Sequence, residues 1–117
     1  MSRSWNLCSS GIVESAKRVR RYTQELDLES FVENEMVYDA VVRNLETIGE
    51  AAKKTPPEIR GRYPQVAWRR IAGLRDVLAH AYFGLDDETL WKIVQEKVPQ
   101  LVLVLGEMSY RHDAEVK

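Results

Sequence analysis

Between Val37 and Ala52 apolar side chains stand at Val37, Ala40, Val41, Leu45, Ile48 and Ala52, with all but one of the steps three or four residues long. Such spacing draws one stripe down a helix, whereas a strand changes face at every residue and would scatter the same side chains over both sides. This stretch therefore has to fold as a helix with one face buried. Its start is expected at Ser30, with Glu33 three residues later, a capping-box pattern in which each side chain satisfies a free amide. Pro56 and Pro57 stop it near Thr55, because proline lacks the amide proton and restricts the residue before it.

The same period recurs on either side. Upstream, "GIVESAKRVRRYTQEL" aligns Ile12, Val13, Ala16, Val19, Tyr22 and Leu26, with Lys17, Arg18, Arg20 and Arg21 mostly off the stripe. Downstream, after the connection "PPEIRGRYPQ", Trp68, Ile71 and Ala72 predict a short helix ending at Gly73, and Leu74 through Tyr82 a second that Gly84 closes. Asp86 is suited to cap the next helix, in which Leu90, Trp91, Val94, Val98, Leu101, Val102 and Leu105 carry the pattern across Pro99. That proline is expected to kink or restart the helix. Only "QLVLVL" is strand-like by residue type, and its surroundings are helical. The expected fold is all-α, a bundle of four or five helices without internal repeats.

At 117 residues the chain suits one domain over 1–117, and a composition of 44% hydrophobic and 30% charged residues supplies both a core and a solvated exterior. Its 17 Lys and Arg against 18 Asp and Glu leave a net charge of −1, so nucleic-acid binding would need a local patch. Cys8 is the one cysteine, which excludes an intramolecular disulfide and fits a reducing compartment. No run of about 18 apolar residues is present to span a bilayer, nor a leader with a cleavage site, so the expectation is a cytoplasmic chain with no membrane partner.

One apolar segment carries chemistry. "GLRDVLAHAYFGLDD", residues 73–87, brings Arg75, Asp76, His80 and Tyr82 close together. A metal site is not expected, since His80 has no histidine or cysteine companion at ligand spacing and His112 lies in a polar tail. Asp76, one turn before His80, is better placed to orient the imidazole and leave its other nitrogen free to move a proton. Neither a Gly-rich phosphate loop nor a G-x-S-x-G elbow occurs. Arg75 adds a permanent charge with planar donors suited to a phosphate, so the pair points to phosphodiester chemistry. On a regular helix, however, five residues turn a side chain by about 140° and advance it about 7.5 Å, so Arg75 and His80 diverge. Either the arginine reaches around, the helix is irregular, or two copies complete the site across a symmetric interface, the arrangement favoured here. The plainer reading also stands at this point: a partly buried histidine, two surface charges and a core tyrosine.

The residues nonetheless resemble a known family. "RDVLAHAY" matches the R-x4-H-x-Y signature of the HepT-like toxins of the HEPN superfamily, with Arg75, His80 and Tyr82 in the signature positions. "RNLETIGEAAK" upstream and "WRRIAGLRD" leading in extend the resemblance over residues 39–94. It implies an all-helical homodimer whose two signatures face a shared groove and cleave RNA without a metal or other cofactor. Arg75 and His80 would be catalytic, with Asp76 as the polar residue that commonly follows the signature arginine. The resemblance also implies a type VII toxin-antitoxin system, in which a cognate MNT-type nucleotidyltransferase silences the toxin by transferring AMP from ATP to the signature tyrosine, here Tyr82. "CSSGI" departs from the family, which often carries an acidic residue before the first apolar run; Gly11 is expected to alter the start of the first helix.

Beyond the signature, Arg60, Arg62, Arg69 and Arg70 could follow an RNA backbone or simply face water, with Arg69 and Arg70, nearest the motif, the better candidates. Asn44 and Glu50, among apolar neighbours on the long helix, are candidates to hydrogen-bond to the motif helix or simply to face solvent, the first being preferred, and Trp68 and Trp91 are expected in the core rather than as base platforms. Two functions are thus in view. One is a toxin ribonuclease; the other, which the balanced net charge favours, is a non-catalytic partner and substrate of the nucleotidyltransferase.

Overall fold

The computed structural model describes residues 2–74, 76–78 and 87–106, with side chains from Gly11 onward. Helix α1 (Ser2–Thr23) is followed by α2 (Leu28–Glu33), the long α3 (Glu35–Lys53), α4 (Pro57–Arg62) and α5 (Trp68–Ala72). Residues 74 and 76–78 are helical too. Helix α6 (Asp87–Lys92) runs on through a π-helical turn (Ile93–Lys97) and a helical stretch over 98–106. No strand occurs among the described residues, and "QLVLVL" is helical. None of the described helices is long and apolar enough to cross a membrane.

Helix α3 is the centre of the packing. It lies against α1 along much of its length and also meets α2 and α5. The predicted stripes are the buried faces: Ile12, Val13, Ala16 and Val19 of α1, Val41, Leu45, Ile48 and Ala52 of α3, and Leu90, Val94, Val98, Leu101 and Leu105 of the last rod. Each Leu, Ile or Val buried in this way removes apolar surface worth about 1.5–3 kcal/mol from water. Trp68 is buried as well, and its indole N–H donates to the Tyr63 carbonyl at 3.0 Å. Trp91 is half-buried against the core. Both tryptophans therefore serve packing, as expected.

Several boundaries differ from expectation, each for a local reason. Ser30 does not begin the long helix. It is the third residue of α2, whose cap is Asp27: the Asp27 carboxylate accepts from the Ser30 amide at 2.8 Å, and the Ser30 hydroxyl accepts from the Asp27 amide at 3.0 Å. The Ser30 amide, followed by the Ser30 hydroxyl, holds the Asp27 pKa below the ordinary aspartate value. A depressed carboxylate stabilises the fold above its unfolded pKa, and the contribution is lost as pH falls through the folded value. Asn34 caps α3 instead, its side chain accepting from the Val37 amide at 3.1 Å. The connection after α3 is not irregular throughout, because Pro57 sits in the first turn of α4, where its missing amide costs nothing.

Gly11 likewise leaves the first helix intact, which runs through it from Ser2. Pro99 does not restart the last helix. The turn just before it widens, with the Val98 amide donating to the Ile93 carbonyl five residues back. Such a π turn shifts the bonding register next to a residue that has no amide to donate. The predicted closure at Gly84 and the cap at Asp86 lie outside the described residues.

Two glycines provide a test of this packing. A Cβ on Gly49 would sit 3.2 Å from the Ile71 carbonyl oxygen and 3.6 Å from Leu74 Cβ, whereas one on Gly11 meets nothing within 4 Å among the described residues. Gly11→Ala is expected to stabilise the protein by about 0.5–1 kcal/mol, through helix propensity alone. Gly49→Val should destabilise it by about 1–3 kcal/mol, since its branches meet backbone. Urea unfolding followed by circular dichroism checks both, and the reverse order would contradict the α3–α5 approach.

Candidate active site

The signature segment leaves α3 by way of α5. Gly49 has no side chain to hold the Ile71 carbonyl away, so α5 lies close on α3. Gly73 ends α5, its amide shared between the Arg69 and Arg70 carbonyls at 3.0 and 3.2 Å. The helical residues that follow send Leu74 and Leu78, four apart, into the core. Asp76 is exposed between them, with its amide donating to the Gly73 carbonyl at 3.1 Å. Arg75, His80 and Tyr82 lie outside the described residues.

Around this segment the basic residues divide into two groups. Arg69 and Arg70 are exposed on α5, directly ahead of the signature, and Arg62 is exposed on α4. Arg60 is turned inward. Its Nη2 donates to the carbonyls of Ala52 at 2.8 Å and Lys53 at 3.2 Å, and its Nε to that of Thr55 at 3.1 Å. Those carbonyls lie at and just past the carboxy-terminal end of α3, where the Ala52 oxygen also accepts from the Thr55 amide at 3.2 Å and a cation meets the negative end of the helix dipole. Arg60 thus closes a helix, a role that a basic run in sequence does not disclose.

The two residues considered as support for the motif sit apart from each other. Asn44 donates through Nδ2 to the Ala40 carbonyl of its own helix at 2.8 Å. Glu50 is exposed and lines a shallow cleft with Glu46, Gly49, Lys53, Lys54 and Ala72, between α3 and α5. A second groove, of about 430 Å³, runs beside the signature segment. Ile71 of α5 and Leu74 and Val77 of that segment line it on one side and Ile93, Val98 and Leu101 of the last rod on the other, together with the exposed Arg70. Among the described residues the site is therefore a helix start flanked by an apolar groove, with two free arginines one turn ahead.

On the far side of the signature, α6 begins at a bond that no spacing rule signals. The Tyr38 hydroxyl on α3 donates to Asp87 Oδ1 at 2.6 Å. Phe31 packs between the two helices, its ring centroid 5.1 Å from that of Tyr38 and 4.9 Å from that of Trp91. The two partners are 49 residues apart, so only the fold brings them together.

The family model described as ribonuclease HepT-like matches residues 12–108, which includes all of these elements from α2 to the last rod. "Putative RNase MJ1380" of Methanocaldococcus jannaschii is 44% identical over 90 residues, covering 77% of this chain and 83% of its own. "Probable ribonuclease HepT" of Thermococcus cleftensis is 40% identical over 101 residues, covering 86% of this chain and 92% of its own. No solved structure is a significant match. With most of its length matched by the family model and by relatives at this identity, the chain belongs to the ribonuclease HepT-like family.

Proposed function

We propose that the protein is a metal-independent ribonuclease acting as the toxin of a toxin-antitoxin pair. The observation that carries this reading is the intact Arg75, His80 and Tyr82 signature in a chain whose relatives are named ribonucleases. In the reaction, the ribose 2′-oxygen bonds to phosphorus while the bond from phosphorus to the 5′-oxygen breaks. His80 accepts the 2′-hydroxyl proton and delivers one to the leaving oxygen. Arg75 stabilises the charge that grows on the phosphate, and acid–base and electrostatic contributions are each worth about a hundredfold or more. Asp76 orients the imidazole.

On a regular helix Arg75 and His80 would diverge, which supports a homodimer in which Arg75 of one copy works with His80 of its mate. Arg69 and Arg70 support RNA binding through exposed, unspecific positive charge. Silencing follows from the chemistry of Tyr82. The cognate nucleotidyltransferase joins AMP from ATP to the phenolic oxygen and releases pyrophosphate, leaving a bulky anion two residues from His80, where an RNA phosphate would otherwise sit.

His80→Ala is expected to abolish RNA cleavage with unchanged circular dichroism, while the unsubstituted protein cleaves equally well with a chelator present. If His80→Ala cleaves as before, the catalyst is misassigned; if neither chain cleaves, the protein is a non-catalytic partner of the nucleotidyltransferase.

Incubation with that nucleotidyltransferase, ATP and magnesium should add one AMP at Tyr82 by mass spectrometry, and Tyr82→Phe should stay unmodified. AMP on any other residue would move silencing away from the signature.

A further inference from the structure

The apolar groove between α5 and the last rod has a lining that the proposed RNA chemistry does not use. Leu45 of α3 joins the two aliphatic rows that wall it. Its lip is charged and exposed, with Arg70, Lys92 and Lys97 against Glu96. Three cations against one carboxylate is a local positive excess in a chain whose net charge is −1. Along the last rod the lining runs from Thr89 to Leu101, about 18 Å at 1.5 Å per residue, or about three helical turns. A contiguous aliphatic trough open to water gains free energy when it is covered, and a trough of this length suits a short helix with apolar anchors one turn apart.

We infer that this groove takes an amphipathic helix of a protein partner, its apolar face in the trough and acidic side chains against the lip. The inference goes beyond the ribonuclease reading and does not depend on it. RNA carries the complementary charge too, but single-stranded bases are held by stacking on aromatic rings, and among the described residues none that lines the groove is aromatic. Base edges would also give up water to aliphatic walls that return no hydrogen bond. A second copy pairing this face with itself would set cations against cations, because an isologous contact places the same patch on both sides. An acidic, apolar-faced helix meets neither cost.

The test follows the fluorescence anisotropy of a labelled helical peptide of about 16 residues, with leucines every three or four positions on one face and glutamates beside them. Two control peptides replace its glutamates by lysines, or its leucines by serines. The full chain should bind the leucine–glutamate peptide saturably, the lysine version at least about tenfold more weakly, and the serine version not at all. Lys92→Glu with Lys97→Glu, both at exposed positions, changes the lip to one cation against three carboxylates. With circular dichroism unchanged, that variant should reverse the preference between the two leucine peptides. Absence of saturable binding, equal binding of the two leucine peptides, or a preference that survives the charge reversal overturns the inference. So does displacement of the peptide by a single-stranded oligouridylate, which makes the groove an RNA surface. A change of sedimenting mass in the charge-reversed chain also overturns it, by making the groove a contact between copies.

Discussion

Val41 and Val42 of α3 are both fully buried, although neighbouring residues on a helix point about 100° apart. A helix dry on one stripe needs one partner; one dry over so wide an arc needs several, and α1, α2 and α5 supply them. The rest of the structure depends on this burial. The amphipathic α1 covers one part of α3, Gly49 admits α5 to another, and the approach of α5 decides where the signature segment begins. Arg60 then donates to carbonyls at the end of α3. A scaffold helix packed along much of its length holds a neighbouring segment to tolerances that a loop could not.

This arrangement separates packing from chemistry. The residues that α3 and its neighbours bury are mostly aliphatic, with Phe31 and Trp68 among them, whereas the charged residues near the signature, Arg69, Arg70 and Asp76, are exposed. Burial of the site's charges would have cost several kcal/mol each in desolvation. Keeping them at the surface avoids that cost. The aromatic group of Phe31, Tyr38 and Trp91 forms the other boundary, where a polar bond is sheltered by rings.

What could be read from the sequence follows from how local each cause is. The buried stripes were legible because a period of 3.6 residues is a local property, and the signature was legible from residue spacing together with a family resemblance. Helix starts were less so. Ser30 with Glu33 fits a capping box, but Asp27 with Ser30 fits one as well, and the hydrogen bonds go to Asp27. Pro99 announced a disturbance without specifying that it would be a π turn just ahead. The inward turn of Arg60 and the bond between Tyr38 and Asp87 depend on partners that only the fold brings near, the second pair 49 residues apart. No one-dimensional pattern marks either.

The central claim, that Arg75 of one copy serves His80 of another, is tested most directly by mixing two inactive chains. Arg75→Ala and His80→Ala would be refolded together, and RNA cleavage by the mixture compared with each alone. Random pairing makes half of the dimers mixed, and each mixed dimer holds one site with both residues intact, so about a quarter of normal activity should return. A mixture that forms mixed dimers yet stays as inactive as its components would contradict the account.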